Sequence, residues 1–187
     1  MTSAGSVARD GRLRLFLALR LPDDALARLV AWQGRELSGD RVVPRENLHV
    51  TLAFLGRRPE GELQPILDLL GRAAHVAEPA ALEATRYRET RSVGMLTLRD
   101  ASGAATALAE RLHDELEALG VYRREARAWL PHVTVLRFRE RPWLRPETPA
   151  LRWVSSDAAA FLSRLHPSGA RYTPPEYVVL KSFRIGG

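Results

Sequence analysis

Leu48–Leu55 reads LHVTLAFL, and Pro131–Phe138 reads PHVTVLRF. Each is a short apolar run of strand type that carries a histidine and, two residues on, a threonine. Successive side chains of a strand point to opposite faces, so residues i and i+2 share one. His49 and Thr51 are therefore expected on one face, with Leu48, Val50, Leu52 and Phe54 turned the other way into a core. His132 and Thr134 repeat the pattern, with Val133 and Val135 inward. Either copy alone reads as an amphipathic strand with a polar pair. A second HVT by chance has a probability of roughly 1% in this composition, even before allowing for the search. The two pairs are therefore expected to face each other across one site.

Outward from these strands the chain alternates between the two periods. Arg12–Leu19 (RLRLFLAL) reads as a strand, and Asp23–Leu37 as an amphipathic helix with Asp in its first turn. Val42–Asn47 is an extended lead-in to the first motif, and Gly56 is expected to close that strand. Pro59–Ala77 and Ala104–Leu119 carry apolar stripes at helical spacing, the latter stopped by Gly120. Between them, Leu82–Tyr87 and Val93–Leu98 read as strands. Tyr122–Trp129 is a basic connector and Glu140–Pro149 a Pro- and Arg-rich loop. Leu151–Leu165 holds one or two strands, His166–Pro175 a turn-rich connection, and Tyr177–Ile185 the last strand. Each HVT lies downstream of an amphipathic helix, which suggests two equivalent lobes. No glycine-rich phosphate loop follows a strand. A small α+β fold with mainly antiparallel sheets fits best.

The 187 residues suit one domain, read as 12–187, behind a small polar tail at 1–11 without the apolar core of a signal peptide. There is no cysteine, which excludes disulfides and Cys-based zinc or redox sites and suits a cytoplasmic protein. No apolar run approaches a membrane span, so no membrane partner is expected. The formal charge is +6, and of the 28 basic residues only Lys181 is not arginine. That favours an anionic partner, although an Arg-rich genome fills surfaces the same way.

Two imidazoles can act as general base and general acid, because their ordinary pKa lies near 6.5. Two threonine hydroxyls can donate to anionic oxygens. A phosphodiester under in-line attack has an entering oxygen, a departing oxygen and two non-bridging oxygens, so the groups match the oxygens one for one. Two histidines with no nearby carboxylate make a poor first shell for zinc or magnesium. A serine-hydrolase elbow of the G-x-S-x-G type is absent. The residues alone leave open which histidine gives the proton and which takes it.

The paired motifs, HVTL at His49–Leu52 and HVTV at His132–Val135, resemble the two-histidine (2H) phosphoesterase superfamily. Within it the chain is similar to the RNA 2′,3′-cyclic phosphodiesterases, also called 2′-5′ RNA ligase-like proteins. The likeness takes in RLFLALRLP at Arg14–Pro22, ENLHVTLAFLG at Glu46–Gly56, LPHVTVLR at Leu130–Arg137 and GARYT at Gly169–Thr173. It implies a bilobal α+β fold, two mainly antiparallel sheets about a pseudo-twofold cleft with helices outside. It also implies a metal- and cofactor-free monomer that hydrolyses 2′,3′-cyclic phosphate at RNA 3′ ends to a 2′-phosphate. By that resemblance His49 is the proton donor, His132 the proton acceptor, and Thr51 and Thr134 bind the phosphate. Two other functions compatible with the residues are an RNA-end binder without turnover, and the same chemistry on 2′-5′ linkages or small cyclic phosphates.

Arg137 matches a recurrent arginine of that family, but strict alternation sets it opposite His132. Tyr172 is a candidate for stacking on a base. His75 and His113, on helices among charges, are expected to be solvated, and His166 to sit in a turn. The four tryptophans share no spacing and receive no function.

Overall fold

Strand β1 (Arg12–Arg20) alternates Leu13, Leu15, Leu17 and Leu19 with Arg14, Phe16 and Ala18. The leucines lie in the main core, while Phe16 and Ala18 join Ala159 and Phe161 in a small cluster on the opposite side. A strand apolar on both faces belongs inside the sheet, and β1 lies between two neighbours there. Each fully buried leucine is worth about 1.5–3 kcal/mol over an exposed one, so the leucine row fixes which face meets the helices.

The computed structural model describes residues 11–37, 41–164 and 176–186. Most of the expected tail at 1–11 and the turn carrying His166 and Tyr172 lie outside the described residues. After β1 come α1 (Asp23–Glu36), β2 (His49–Pro59), α2 (Leu63–Val76), β3 (Ala80–Glu89) and β4 (Val93–Asp100). Then follow α3 (Ala104–Ala118), β5 (His132–Arg137), β6 (Arg152–Ser155), β7 (Asp157–Arg164) and β8 (Glu176–Arg184). The strands form one curled antiparallel sheet in the order β6-β3-β4-β5-β2-β1-β7-β8. All three helices contribute to the main core, on the leucine side of β1. The α+β architecture is as expected. The two sheets are two four-stranded halves, and the strands that join them, β2 and β5, are the HVT strands, paired through Val50 and Val133.

Beyond that pair the halves diverge, and backbone groups of β2 find side chains instead. Trp129 Nε1 donates to the Thr51 carbonyl at 3.0 Å, and His113 Nε2 lies 2.8 Å from the Leu52 carbonyl. His113 is thus buried, not solvated, and its ring stacks on Tyr122 at 4.9 Å. The cause is its place on α3: it lies four residues after Ala109 and three before Leu116, inside the buried stripe. His75 is exposed, as expected.

Strand β2 does not stop at Gly56. The glycine takes a φ of +67°, which favours it over other residues, and the strand runs on to Pro59. Helix α2 accordingly starts at Leu63, after a 3₁₀ turn at Glu60–Glu62. Leu151–Leu165 resolves into the two strands β6 and β7.

Candidate active site

Val50, between His49 and Thr51, pairs with Val133, between His132 and Thr134, so the two motifs lie side by side on adjacent strands. All four project from the sheet face away from the helices and are half-buried. Each histidine has its own threonine two residues along the strand and the other motif on the neighbouring strand. His49, Thr51 and Thr134 line a cavity of about 140 Å³. Thr51 and Phe54 also border a neighbouring cavity of about 420 Å³, lined by His132, Met95, Arg124, Arg127 and Trp129.

Strict alternation fails in both motif strands, and the irregularities serve the cleft. β5 carries a bulge against β4, where Met95 pairs with Thr134 and Gly94 with Leu136. The extra residue lets Val135 and Leu136 both face the core and returns Arg137 to the face of His132 and Thr134. Arg137 lines the smaller cavity and donates to the Tyr177 hydroxyl at 3.2 Å. In β2 the register slips against β1 between Thr51 and Ala53, so Leu52 and Ala53 are both buried. Phe54, expected in the core, consequently stands on the cleft face, half exposed, with the Arg14 guanidinium 5.2 Å from its ring centre.

The β5 bulge is held from behind. Val43 N donates to the Val135 carbonyl at 3.0 Å. Gln33, buried on α1, donates its Nε2 to the same carbonyl at 2.9 Å and to the Val43 carbonyl at 3.0 Å. This brings the lead-in segment, with Arg41, Val43 and Pro44, to the cavity wall.

The two imidazoles have different surroundings. His132 Nδ1 sits 2.8 Å from the Leu130 carbonyl. A carbonyl only accepts, so Nδ1 carries hydrogen and Nε2 is left for the cleft. His49 is enclosed by Phe16, Tyr177 and Phe161, with ring centres at 4.7, 5.3 and 5.6 Å. Its pKa is lowered from 6.5 to about 4, chiefly by burial. The Asn47 backbone pulls it back up, although Nδ1 has no partner at hydrogen-bonding geometry among the described residues, and the charges of Arg137 and His132 push it down further. His49 thus feels His132 and Arg137, and the two strands share one electrostatic field. Among the described residues no group of three or more His, Cys, Asp or Glu side chains could hold a metal ion.

The profile of the 2′-5′ RNA ligase superfamily matches residues 21–173. The chain belongs to that superfamily. It is 32% identical to an RNA 2′,3′-cyclic phosphodiesterase of Thermus thermophilus, over 94% of this chain and 91% of the relative. An Escherichia coli protein of the same name is 28% identical over 86% of this chain and 93% of its own. Among solved structures, a Thermus thermophilus protein superposes with a TM-score of 0.79 at 31% identity, covering 94% of this chain and 99% of that one. Escherichia coli LigT in complex with 3′-AMP has a TM-score of 0.78 at 22% identity, with coverage of 94% and 99%, and so shares the fold.

For this member of the 2′-5′ RNA ligase superfamily, sequence reasoning placed the four motif residues and missed the aromatic wall around His49. Phe16 had a signal: it interrupts a leucine row at the positions that face away from the core. Phe161 and Tyr177 had none, because only sheet order brings β7 beside β1 and β8 next beyond it. Tyr172 lies outside the described residues.

Proposed function

We propose that the protein hydrolyses 2′,3′-cyclic phosphodiester ends of RNA to 2′-phosphomonoesters by acid–base catalysis with the two His-x-Thr pairs. The observation that carries the reading is the pairing of the two HVT strands at their central valines, Val50 and Val133, which sets the two motifs side by side. The names of the similar proteins from Thermus thermophilus and Escherichia coli support the substrate class. In this reading water approaches phosphorus from the His132 side. Its proton passes to His132 Nε2 as the new P–O bond forms. The bond from phosphorus to the ribose 3′ oxygen breaks, and that oxygen takes a proton from His49. The Thr51 and Thr134 hydroxyls donate to the non-bridging oxygens, where preformed donors lower the barrier most. Arg137 adds positive charge beside them. The net result moves one proton from His49 to His132, and solvent restores both.

The free protein holds His49 neutral at pH 7. A donor role therefore draws on the substrate, whose negative charge favours the imidazolium. The same observation supports a second assignment, with His49 as base and His132 as donor. A bis(p-nitrophenyl) phosphate substrate separates them, since its leaving group needs no acid. The variant lacking the donor keeps its rate on this ester and loses it on the cyclic phosphate, whereas the variant lacking the base loses both.

His49→Ala and His132→Ala are each expected to lower hydrolysis of a 2′,3′-cyclic phosphate by about 10²–10⁴-fold. A chelator is expected to leave the wild-type rate unchanged. Full activity in either variant overturns the proposal, and tight binding of a cyclic-phosphate oligonucleotide without turnover makes the protein an RNA-end binder instead.

A further inference from the structure

Outside the cleft, the Glu89 carboxylate at the end of β3 is almost wholly buried, its side chain 2% exposed. It accepts from Leu144 N at 2.8 Å, Trp143 N at 3.0 Å, Arg141 Nε at 3.1 Å and the Tyr87 hydroxyl at 3.1 Å. Gly94, opposite Glu89, makes room for this: a Cβ there would collide with the Tyr87 hydroxyl. The three bonds from Arg141, Trp143 and Leu144 fix a short loop in which Trp143 adopts a φ of +56°, a conformation that bulky residues rarely take. The loop does not use this conformation to bury the indole, which is 70% exposed. The Arg141 guanidinium lies 3.9 Å from the ring centre and backs one face, so the other is open to solvent. Arg86, Arg88 and Arg145, all exposed, complete the walls of a cavity of about 510 Å³.

The sheet register ties one wall of this cavity to the cleft, while Tyr87 and Glu89, on the other face of β3, hold the Trp143 loop at the sheet edge. Arg86 pairs with Thr97, which pairs with His132; Arg88 pairs with Met95, which pairs with Thr134. Residues paired across strands share a face. Two arginines therefore stand on the face of the second motif, two strands away, at roughly 10 Å. About three stacked nucleotides cover that distance, at roughly 3.4 Å each along one strand.

We propose that the Trp143 platform, with Arg86, Arg88 and Arg145, binds single-stranded RNA a few nucleotides 5′ of the end held in the cleft, one base stacking on the open indole face and the arginines meeting phosphates. The inference rests on the cleft being an RNA-end site. Stacked aromatics with arginine suit unpaired nucleotides of any sequence. The lining charges, four arginines against one carboxylate, select an anion.

The test reads binding and turnover separately. Fluorescence anisotropy follows a labelled decanucleotide with a plain 3′ hydroxyl. Steady-state kinetics compares a cyclic mononucleotide with the same decanucleotide ending in a cyclic phosphate. Trp143→Ala is expected to weaken decanucleotide binding and its kcat/KM by about tenfold or more, with Trp143→Phe largely restoring both. Arg88→Ala with Arg145→Ala is expected to flatten the salt dependence of binding by about 0.7 in log–log slope per lost phosphate contact. Mononucleotide turnover stays unchanged in all variants, which also shows that they fold. Decanucleotide binding that ignores all these substitutions overturns the inference. So do equal losses on both substrates, or variants that instead lose binding to phosphatidylserine vesicles while holding RNA. Failure of the hydrolytic reading looks different: the wild type turns over neither substrate, while the anisotropy arm still reports on the platform.

Discussion

Phe16, Phe161 and Tyr177 pack around the His49 ring, and their enclosure has a thermodynamic consequence. A histidine whose folded pKa is about 4 against 6.5 in the open chain binds fewer protons folded than unfolded between those values. Stability contributed by the neutral ring is therefore complete above about pH 6.5 and is lost as the pH falls through 4. The contribution is of order 2–3 kcal/mol, discounted for partial solvent access. Urea unfolding of the free protein at pH 5 and pH 7 reads it. The wild type should lose more stability over that interval than His49→Asn, and equal losses would contradict the burial argument. Under the proposed function, the same enclosure ties a donor role for His49 to the substrate, whose negative charge favours the imidazolium.

Element by element, irregularities in the two motif strands decide what the cleft contains. Without the extra residue in β5, Arg137 points into the helices. Without the slip in β2, Phe54 does so instead. The β5 bulge depends on one buried amide, because Gln33 on α1 satisfies carbonyls of Val43 and Val135 together. Gln33→Leu leaves the Val43 carbonyl without that donor and is expected to cost about 1–3 kcal/mol in urea unfolding. It also frees the segment that positions Arg137, so kcat/KM on a cyclic phosphate should fall by about tenfold or more, although Gln33 lies on the helix side of the sheet. A purely structural role would lower stability and leave kcat/KM intact.

Over the whole molecule, two half-sheets meet at the Val50–Val133 pair and open on one side into two adjoining cavities bordered by arginine. The formal charge of +6 favours anionic partners. Binding of an RNA oligonucleotide should weaken with salt by about 0.7 in log–log slope per neutralised phosphate. A cyclic mononucleotide, with one phosphate, sets the lower bound, and a decanucleotide should show a slope at least twice as steep. Identical slopes would confine recognition to the terminal phosphate.

The amino-acid pattern by itself determined the α+β class, the helix and strand positions to within a few residues, and the identity of the two His-Thr pairs. Those follow from period-2 and period-3.6 spacing and from a repeated tripeptide, all local properties of the chain. Tertiary structure alone decided that the half-sheets join through those two strands, that Arg137 and Phe54 turn into the cleft, that His113 is buried, and that Phe161 and Tyr177 reach His49. Bulges and strand order decide these, because one inserted residue reverses every later side chain, and because sheet neighbours are set by packing against helices far away in sequence.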